Sequence, residues 1–313
     1  MSGPRVVITD QVFPDVDLER QLLAGVGAEL SVASGDREQV LHAAADADAL
    51  LNTYLGIDAD FISRLERCRV IARYGIGIDN VDLDAARAAG IVVTNVPDYA
   101  VEEVAAHTLA LLLSLLRRLP EGDVHVRAGG WGIAPLRPIA RLSELTVGLV
   151  GYGRIARRLA DSLRGLDMAV LVHDPYAEVV ADGVEAVGFD ELLERADAVS
   201  LHAPLTPATR GLIGQEQLAR MRPNAVLVNT SRGPLVKLDD LLEALRTGVI
   251  RGAGLDVFDP EPPPSADFAN VPGLLLSPHA AFYSESSIRE SQRKAATQVL
   301  KVLQGQRPDY PVT

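Results

Sequence analysis

The chain is predicted to fold as α/β, with two doubly wound parallel sheets, and three observations carry that expectation. Short β-branched runs alternate with amphipathic stretches along almost all of its length, the pattern of stacked βα units. The alternation falls into two series. At 313 residues the chain also exceeds the roughly 100–200 residues that one core usually holds. The first series places strands at 5–9, 29–32, 49–52, 70–73 and 91–94, and the second at 146–150, 169–173, 198–201, 225–229, 252–257 and 274–277. Between them, 99–119 reads as a helix with Asp98 as N-cap, Glu102 and Glu103 in the first turn, Arg117 and Arg118 in the last, and Pro120 as its stop. That helix is apolar nearly all round, so protein must cover most of its faces, from a partner domain or a second subunit. A closing helix over 286–303 follows the last strand and is placed to cross back onto the first domain.

Composition narrows the function. Hydrophobic residues make up 48% and charged residues 23%, the balance of a soluble globular protein. A net charge of −12 disfavours nucleic acid as a partner, because phosphate binding needs concentrated positive charge. The one cysteine, Cys68, cannot close an intrachain disulfide, and with no CxxC or HExxH no metal is expected. No secretory signal pattern opens the chain, so a cytoplasmic location is expected. The longest apolar run, 105–116, is shorter than the roughly 20 residues a bilayer requires, so no membrane partner is expected.

GxG occurs five times, and context selects one. Only Gly151-Tyr-Gly153-Arg-Ile-Ala156 follows an apolar strand (TVGLV), opens an amphipathic helix and leads to a second strand ending in an acid, Asp174. Gly151 permits the tight turn, Gly153 lets a pyrophosphate approach the backbone, and Ala156 keeps helix against strand. The helix start then binds the anion. Asp174, 23 residues after Gly151, would accept from the adenosine ribose and repel a 2′-phosphate, which favours NAD over NADP.

Ligands of open α/β sheets bind beyond the carboxyl ends of the strands, where three polar residues stand out: Arg232 in NTSRGPLV, Glu261 in DVFDPEP and His279 in SPHAAF. An arginine fork suits a carboxylate or carbonyl, and a histidine beside a carboxylate suits acid–base work near neutrality. Each alone has a plainer reading, as a surface ion-pair partner, a solvating loop acid or a hydrogen-bonded strand-end histidine. His202 in SLHAP is the second candidate for the base, but no spaced Arg and Glu accompany it.

Over nearly its full length the chain resembles the D-isomer-specific 2-hydroxyacid dehydrogenases, through GIGIDNVDLDAARAAGIVVTNVP, VEEVAAHTLALLL, VGLVGYGRIA, VLVHDPY, LHAPLTPATRGLI, LVNTSRGPLV, RGAGLDVFDPEP and SPHAA. The resemblance implies a discontinuous, flavodoxin-like substrate domain (1–98 and 282–313), an inserted Rossmann-like NAD domain (99–281) and a homodimer. It makes Arg232, Glu261 and His279 the catalytic set, and the Ile76 and Gly77 amides, assisted by Arg73, the carboxylate donors, with Phe282 in the substrate pocket. Cofactor contacts implied by motif are Gly151, Gly153, Arg154 and Ile155 at the pyrophosphate, Asp174 at the ribose, His202, Ala203, Pro204 and Thr209 along the cofactor, Thr230 and Ser231 near the nicotinamide ribose, and Asp256 at the carboxamide. Thr108, His279 and Ala281 complete that set.

The implied activity is reduction of a small 2-oxo acid by NADH, with closure about hinges near 95–99 and 280–284; residues 52–56, Trp131 and 282–283 are the further candidates for the pocket. The ending PHAAFYSESSIRE resembles the branch of the C-terminal-binding-protein corepressors, which raises an NAD(H)-sensing scaffold as the alternative. The chain shows no long disordered tail of the corepressor kind, which favours the enzyme, and no further C-terminal domain, which disfavours a regulated phosphoglycerate dehydrogenase. Phosphite oxidation is a second alternative; formate enzymes pair the histidine with glutamine, so Glu261 argues against that donor.

Overall fold

The computed structural model describes residues 3–177, 182–264, 268 and 270–313. The chain divides into two units, Met1–Tyr99 with Ser284–Thr313, and Ala100–Tyr283. These divisions lie one and two residues beyond the expected domain boundaries, so Phe282 falls in the second unit.

The first unit runs β1 (Arg5–Ile8), α1 (Asp17–Leu23), β2 (Glu29–Val32), α2 (Arg37–Ala44), β3 (Ala49–Asn52), α3 (Ala59–Ser63), β4 (Val70–Arg73), α4 (Leu83–Ala88) and β5 (Val92–Thr94). Its sheet has the order β2-β1-β3-β4-β5, all parallel, the flavodoxin-like winding. The inner strands are apolar without alternation, because helices cover both faces: Val6, Val7, Ile8, Leu50, Leu51, Val70 and Ile71 are all fully buried. Sharp helix starts come from side-chain caps. Asp36 and Gln39 form a reciprocal capping box on α2, and Asp58 and Asp82 accept from the amides of Phe61 and Ala85. The chain's end pairs antiparallel beside β5, with Val312 N–H donating to the Val93 carbonyl at 2.8 Å, which covers an otherwise open sheet edge.

The second unit continues with α5 (Val101–Leu116), α6 (Leu119–Arg127), β6 (Thr146–Val150), α7 (Arg154–Arg164), β7 (Ala169–His173), β8 (Val184–Ala186), α8 (Phe189–Arg195), β9 (Ala198–Leu201), α9 (Gln215–Arg220), β10 (Val226–Asn229), α10 (Leu238–Arg246), β11 (Gly252–Leu255) and β12 (Leu274–Leu276). The parallel order β12-β11-β10-β9-β6-β7-β8 is the dinucleotide-binding winding with one strand added at the β11 edge. The winding direction reverses between β6 and β9, so the loops after those two strands flank a crevice. The last helix, α11 (Glu285–Leu303), belongs to the first unit and packs on α1, β3 and β4; Ser284 and Ser287 cap its start.

Several expectations need correction. The helix expected over 99–119 is shorter: α5 has no side-chain cap, and Asp98 instead takes an ion pair from Lys294 at 2.7 Å. Pro120 does not stop it but sits in the first turn of α6, where its missing N–H costs nothing, after Arg118 turns the chain at φ 55°. The strand expected at 252–257 ends at Leu255, and β8 was not foreseen. The apolar α5 is covered within its own unit, by α7, β10 and β11; Gly254 opens the space, since a Cβ there would lie 3.2 Å from Leu111 Cβ.

Candidate active site

In the second unit the chemistry gathers beyond the carboxyl ends of β6, β9, β10, β11 and β12. Gly151, directly after β6, has φ +95°, and a Cβ on it would lie 2.8 Å from the carbonyl of His202, directly after β9. Only glycine allows the two loops to meet at the point where the winding reverses. Gly153 differs in kind: a Cβ there would meet nothing within 4 Å, so its missing side chain leaves open space at the start of α7, whose first amides lack helical partners. Asp174 accepts from the amides of Tyr152 (2.7 Å), Tyr176 (2.9 Å) and Ala177 (3.1 Å), which fixes its carboxylate beside that space. An open cradle of unpaired amides and an anchored acid fit a dinucleotide's pyrophosphate and ribose.

The catalytic candidates are held by buried polar residues. Asn229, at the end of β10 and fully buried, accepts from Ser231 N–H (3.0 Å) and donates to the Arg232 carbonyl (2.7 Å), while Ser231 Oγ donates to the Leu201 carbonyl (2.7 Å). The loop carrying Thr230, Ser231 and Arg232 is therefore tied at three points. Arg232 Nη1 donates to the Ser231 carbonyl at 2.8 Å. Thr108 is fully buried and its hydroxyl meets that of Thr230 at 2.8 Å, which joins α5 to this loop.

Asp256 is fully buried, and its carboxylate lies beneath the His279 loop. It accepts from Ser277 Oγ (2.6 Å) and from the amides of Ala280 and Ala281 (2.9 Å each), and its own carbonyl accepts from the His279 N–H (2.7 Å). These bonds hold His279 at φ 53°, a left-handed conformation that a histidine adopts only at a cost. His107 Nε2 lies 2.9 Å from Ser277 Oγ and extends the network into α5. Sequence reasoning missed Asn229, Ser277 and His107 as supports; Asn229 and Ser277, each the first residue of the motif it serves, carried the available signal.

His279 Nδ1 lies 2.7 Å from Glu261 Oε2, and Glu261 Oε1 accepts from the Phe258 N–H at 2.9 Å. Burial acts to raise the Glu261 pKa, but the bonds from His279 and Phe258 and the charges of His279 and Arg232 outweigh it and hold it below 4.5. The three candidates thus share one electrostatic neighbourhood, with the Phe282 ring edge-on to the His279 ring at 6.0 Å. His202 is different: burial pushes its imidazole down to about 4, and its Nε2 meets Ser200 Oγ at 2.9 Å with no carboxylate in that bond. It stays neutral near pH 7, which argues against it as the acid and base. Thr209 Oγ1 donates to the Pro204 carbonyl (2.7 Å) and shapes the exposed turn after Ala203.

In the first unit a second polar network lies at the carboxyl ends of β1, β3 and β4. Asp10 accepts from the amides of Thr53 (2.9 Å) and Leu55 (3.2 Å) and from that of Tyr54; Asn80 donates to Asn52 Oδ1 (3.0 Å) and accepts from Arg73 Nε (3.2 Å). Arg73 leads into the Gly75–Gly77 turn, which carries the Ile76 and Gly77 amides. Trp131 is 89% exposed on the second unit, after α6. Among the described residues no cluster of three His, Cys, Asp or Glu could hold a metal, and no helix is long and apolar enough to cross a membrane.

Residues 109–281 match the family model of the D-isomer specific 2-hydroxyacid dehydrogenase NAD binding domain. The chain belongs to that family. Over 308 residues, 96% of its length, it is 36% identical to the D-3-phosphoglycerate dehydrogenase of Methanocaldococcus jannaschii, 58% of which is covered; the chain thus spans little more than half of that relative. It is 38% identical over 285 residues to the glyoxylate reductase of Korarchaeum cryptofilum, covering 88% of this chain and 86% of that one. The crystal structure of the TT0316 protein from Thermus thermophilus superposes with a TM-score of 0.88 at 37% identity, covering 99% of this chain and all of that one. These likenesses bear out the two-sheet fold, the family resemblance and an NAD-binding domain in the second unit.

Proposed function

We propose that this family member interconverts a small 2-oxo acid and its D-2-hydroxy acid with NAD(H). The observation that carries the proposal is the 2.7 Å contact between His279 Nδ1 and Glu261 Oε2, with Arg232 in the same field. With Nδ1 held by the carboxylate, the role assigned to Nε2 is to exchange a proton with substrate oxygen. Arg232 orients the substrate through its carboxylate and carbonyl oxygens, and the Ile76 and Gly77 amides of the first unit are the further carboxylate donors. NADH, when bound, supplies the hydride that reduces the carbonyl carbon. His279 delivers the accompanying proton to the carbonyl oxygen and ends neutral, its Nδ1–H still on Glu261. Similarity to a glyoxylate reductase supports two- and three-carbon 2-oxo acids as the first class to test.

A homodimer belongs to the same proposal. Leu119, Val124, Val126, Trp131 and Ile133 are all more than half exposed on the segment from α6 onward, an apolar surface suited to a second copy. Light scattering should give twice the chain mass, reverting toward one chain mass in Trp131→Asp.

The deciding experiment follows NADH consumption across glyoxylate, hydroxypyruvate, longer 2-oxo acids and phosphonate-bearing ones, with His279→Ala alongside. Turnover in the parent that falls about 100-fold or more in the variant, at unchanged NADH affinity, supports the proposal. Tight NADH binding without turnover on any acid would instead favour a cofactor-sensing scaffold.

A further inference from the structure

Two successive carbonyls after β4 are both held by the segment that follows β5. The Val96 N–H donates to the Gly75 carbonyl at 3.1 Å, and Asn95 Nδ2 donates to the Ile76 carbonyl at 2.7 Å. In a trans peptide the C=O and N–H of one unit point in opposite directions. Drawing the Gly75 and Ile76 carbonyls toward β5 therefore turns the Ile76 and Gly77 N–H groups away from it, as a pair. Adjacent amides facing the same way form a concavity for an anion. Val96 contributes through its backbone, which any residue except proline supplies. Asn95 contributes through its side chain, and few side chains combine its reach with an N–H donor.

The neighbours support the same geometry. A Cβ on Gly75 would lie 2.0 Å from Arg73 Nη1, so the absence of a side chain lets the guanidinium lie against this turn, and Asn80 holds Arg73 Nε at 3.2 Å. A cation and two directed amides thus share one turn of the first unit.

We infer that Asn95 is a positioning residue for the substrate carboxylate: it orients the Gly77 N–H by holding the Ile76 carbonyl. This rests on the reading of the Ile76 and Gly77 amides as carboxylate donors. Asn95 touches no substrate atom in this role, and its effect passes through the peptide plane.

Asn95→Asp keeps the shape but presents an acceptor to the carbonyl, and Asn95→Ala removes the donor without adding charge. Both are compared with the parent for KM and kcat on the best 2-oxo acid, for inhibition by oxalate, and for NADH affinity by fluorescence. The expected result is a rise of about ten-fold in KM and in the oxalate inhibition constant, a kcat within about three-fold, and unchanged NADH affinity. Asn95→Gln, which keeps the amide on a longer stem, should recover part of the loss. If Asn95→Asp does not fold, Asn95→Ala decides alone. An active parent whose folded variants keep the parental KM and oxalate inhibition would overturn the role of Asn95 while leaving the proposed reaction standing. A parent that neither reduces a 2-oxo acid nor binds oxalate would overturn the reaction, and the role of Asn95 with it.

Discussion

Gly233 and Phe258 approach so closely that a Cβ on the glycine would lie 2.0 Å from the Phe258 carbonyl carbon and oxygen. The contact joins the loop that carries Arg232 to the loop that carries Glu261, because the Phe258 N–H is the group that anchors Glu261 Oε1. Gly233 is buried and the atoms its Cβ would meet are backbone, so no side-chain rearrangement can absorb a methyl group.

Gly233→Ala should therefore force the two loops apart. Shifts of about 1 Å at such a site commonly cost about 100-fold in rate, and kcat/KM should fall on that order while the NADH affinity changes less. A Gly233→Ala enzyme with parental kcat/KM would show that the contact has no part in assembling the site.

Glu261 has its pKa held below 4.5 in the folded chain. A depressed carboxylate contributes stability that is full above its unfolded value and is lost as pH falls through the folded one. Denaturant unfolding of the parent and of Glu261→Gln should accordingly differ at pH 7 and converge as the pH drops below about 4.5. A difference that does not vary with pH would remove the ionic part of this account.

His202 has the opposite consequence. Its folded pKa of about 4 lies below the ordinary 6.5, so between these values the unfolded chain binds more protons and stability falls on acidification. The loss attributable to this one residue reaches about 3 kcal/mol by pH 4. In His202→Asn that share of the acid slope between pH 6.5 and 4 should disappear, read from unfolding free energies at several pH values.

Glu19 is fully buried in the first unit, where burial is the main influence raising its pKa. It accepts from Tyr74 Oη at 2.8 Å and from Gln292 Nε2 at 3.1 and 3.2 Å, which links α1, the end of β4 and α11. Glu19→Ala leaves two buried donors without this acceptor and should cost about 2–4 kcal/mol, combining cavity and lost bonds. Paired with Tyr74→Phe, the two losses should be non-additive by about 1 kcal/mol, and strict additivity would argue against coupling.

Local patterning made most of the architecture readable. The inner strands are apolar runs bounded by turn residues, and Gly151, Gly153 and Asp174 mark one βαβ unit because all three act within a stretch of 24 residues. Helix ends were less legible: Asp98 and Pro120 carry ordinary cap and stop signals, yet Lys294, nearly 200 residues away, takes the first and the α6 start takes the second. Propensity records what a residue can do, and a distant partner decides what it does.

The sequence by itself determined the two sheets, the place of the glycine-rich turn, and Arg232, Glu261 and His279 as the residues to watch, since strand periodicity and strand-end position are encoded locally. Only the tertiary structure decided which histidine sits against a carboxylate. His202 and His279 both follow strands and both look able to move a proton, but one is half-buried against a serine and the other lies 2.7 Å from Glu261. The supporting bonds of Asn229, Asp256 and Asn95 likewise emerge only when segments far apart in the chain are packed together, because a hydrogen bond depends on a distance and an angle that linear order does not contain.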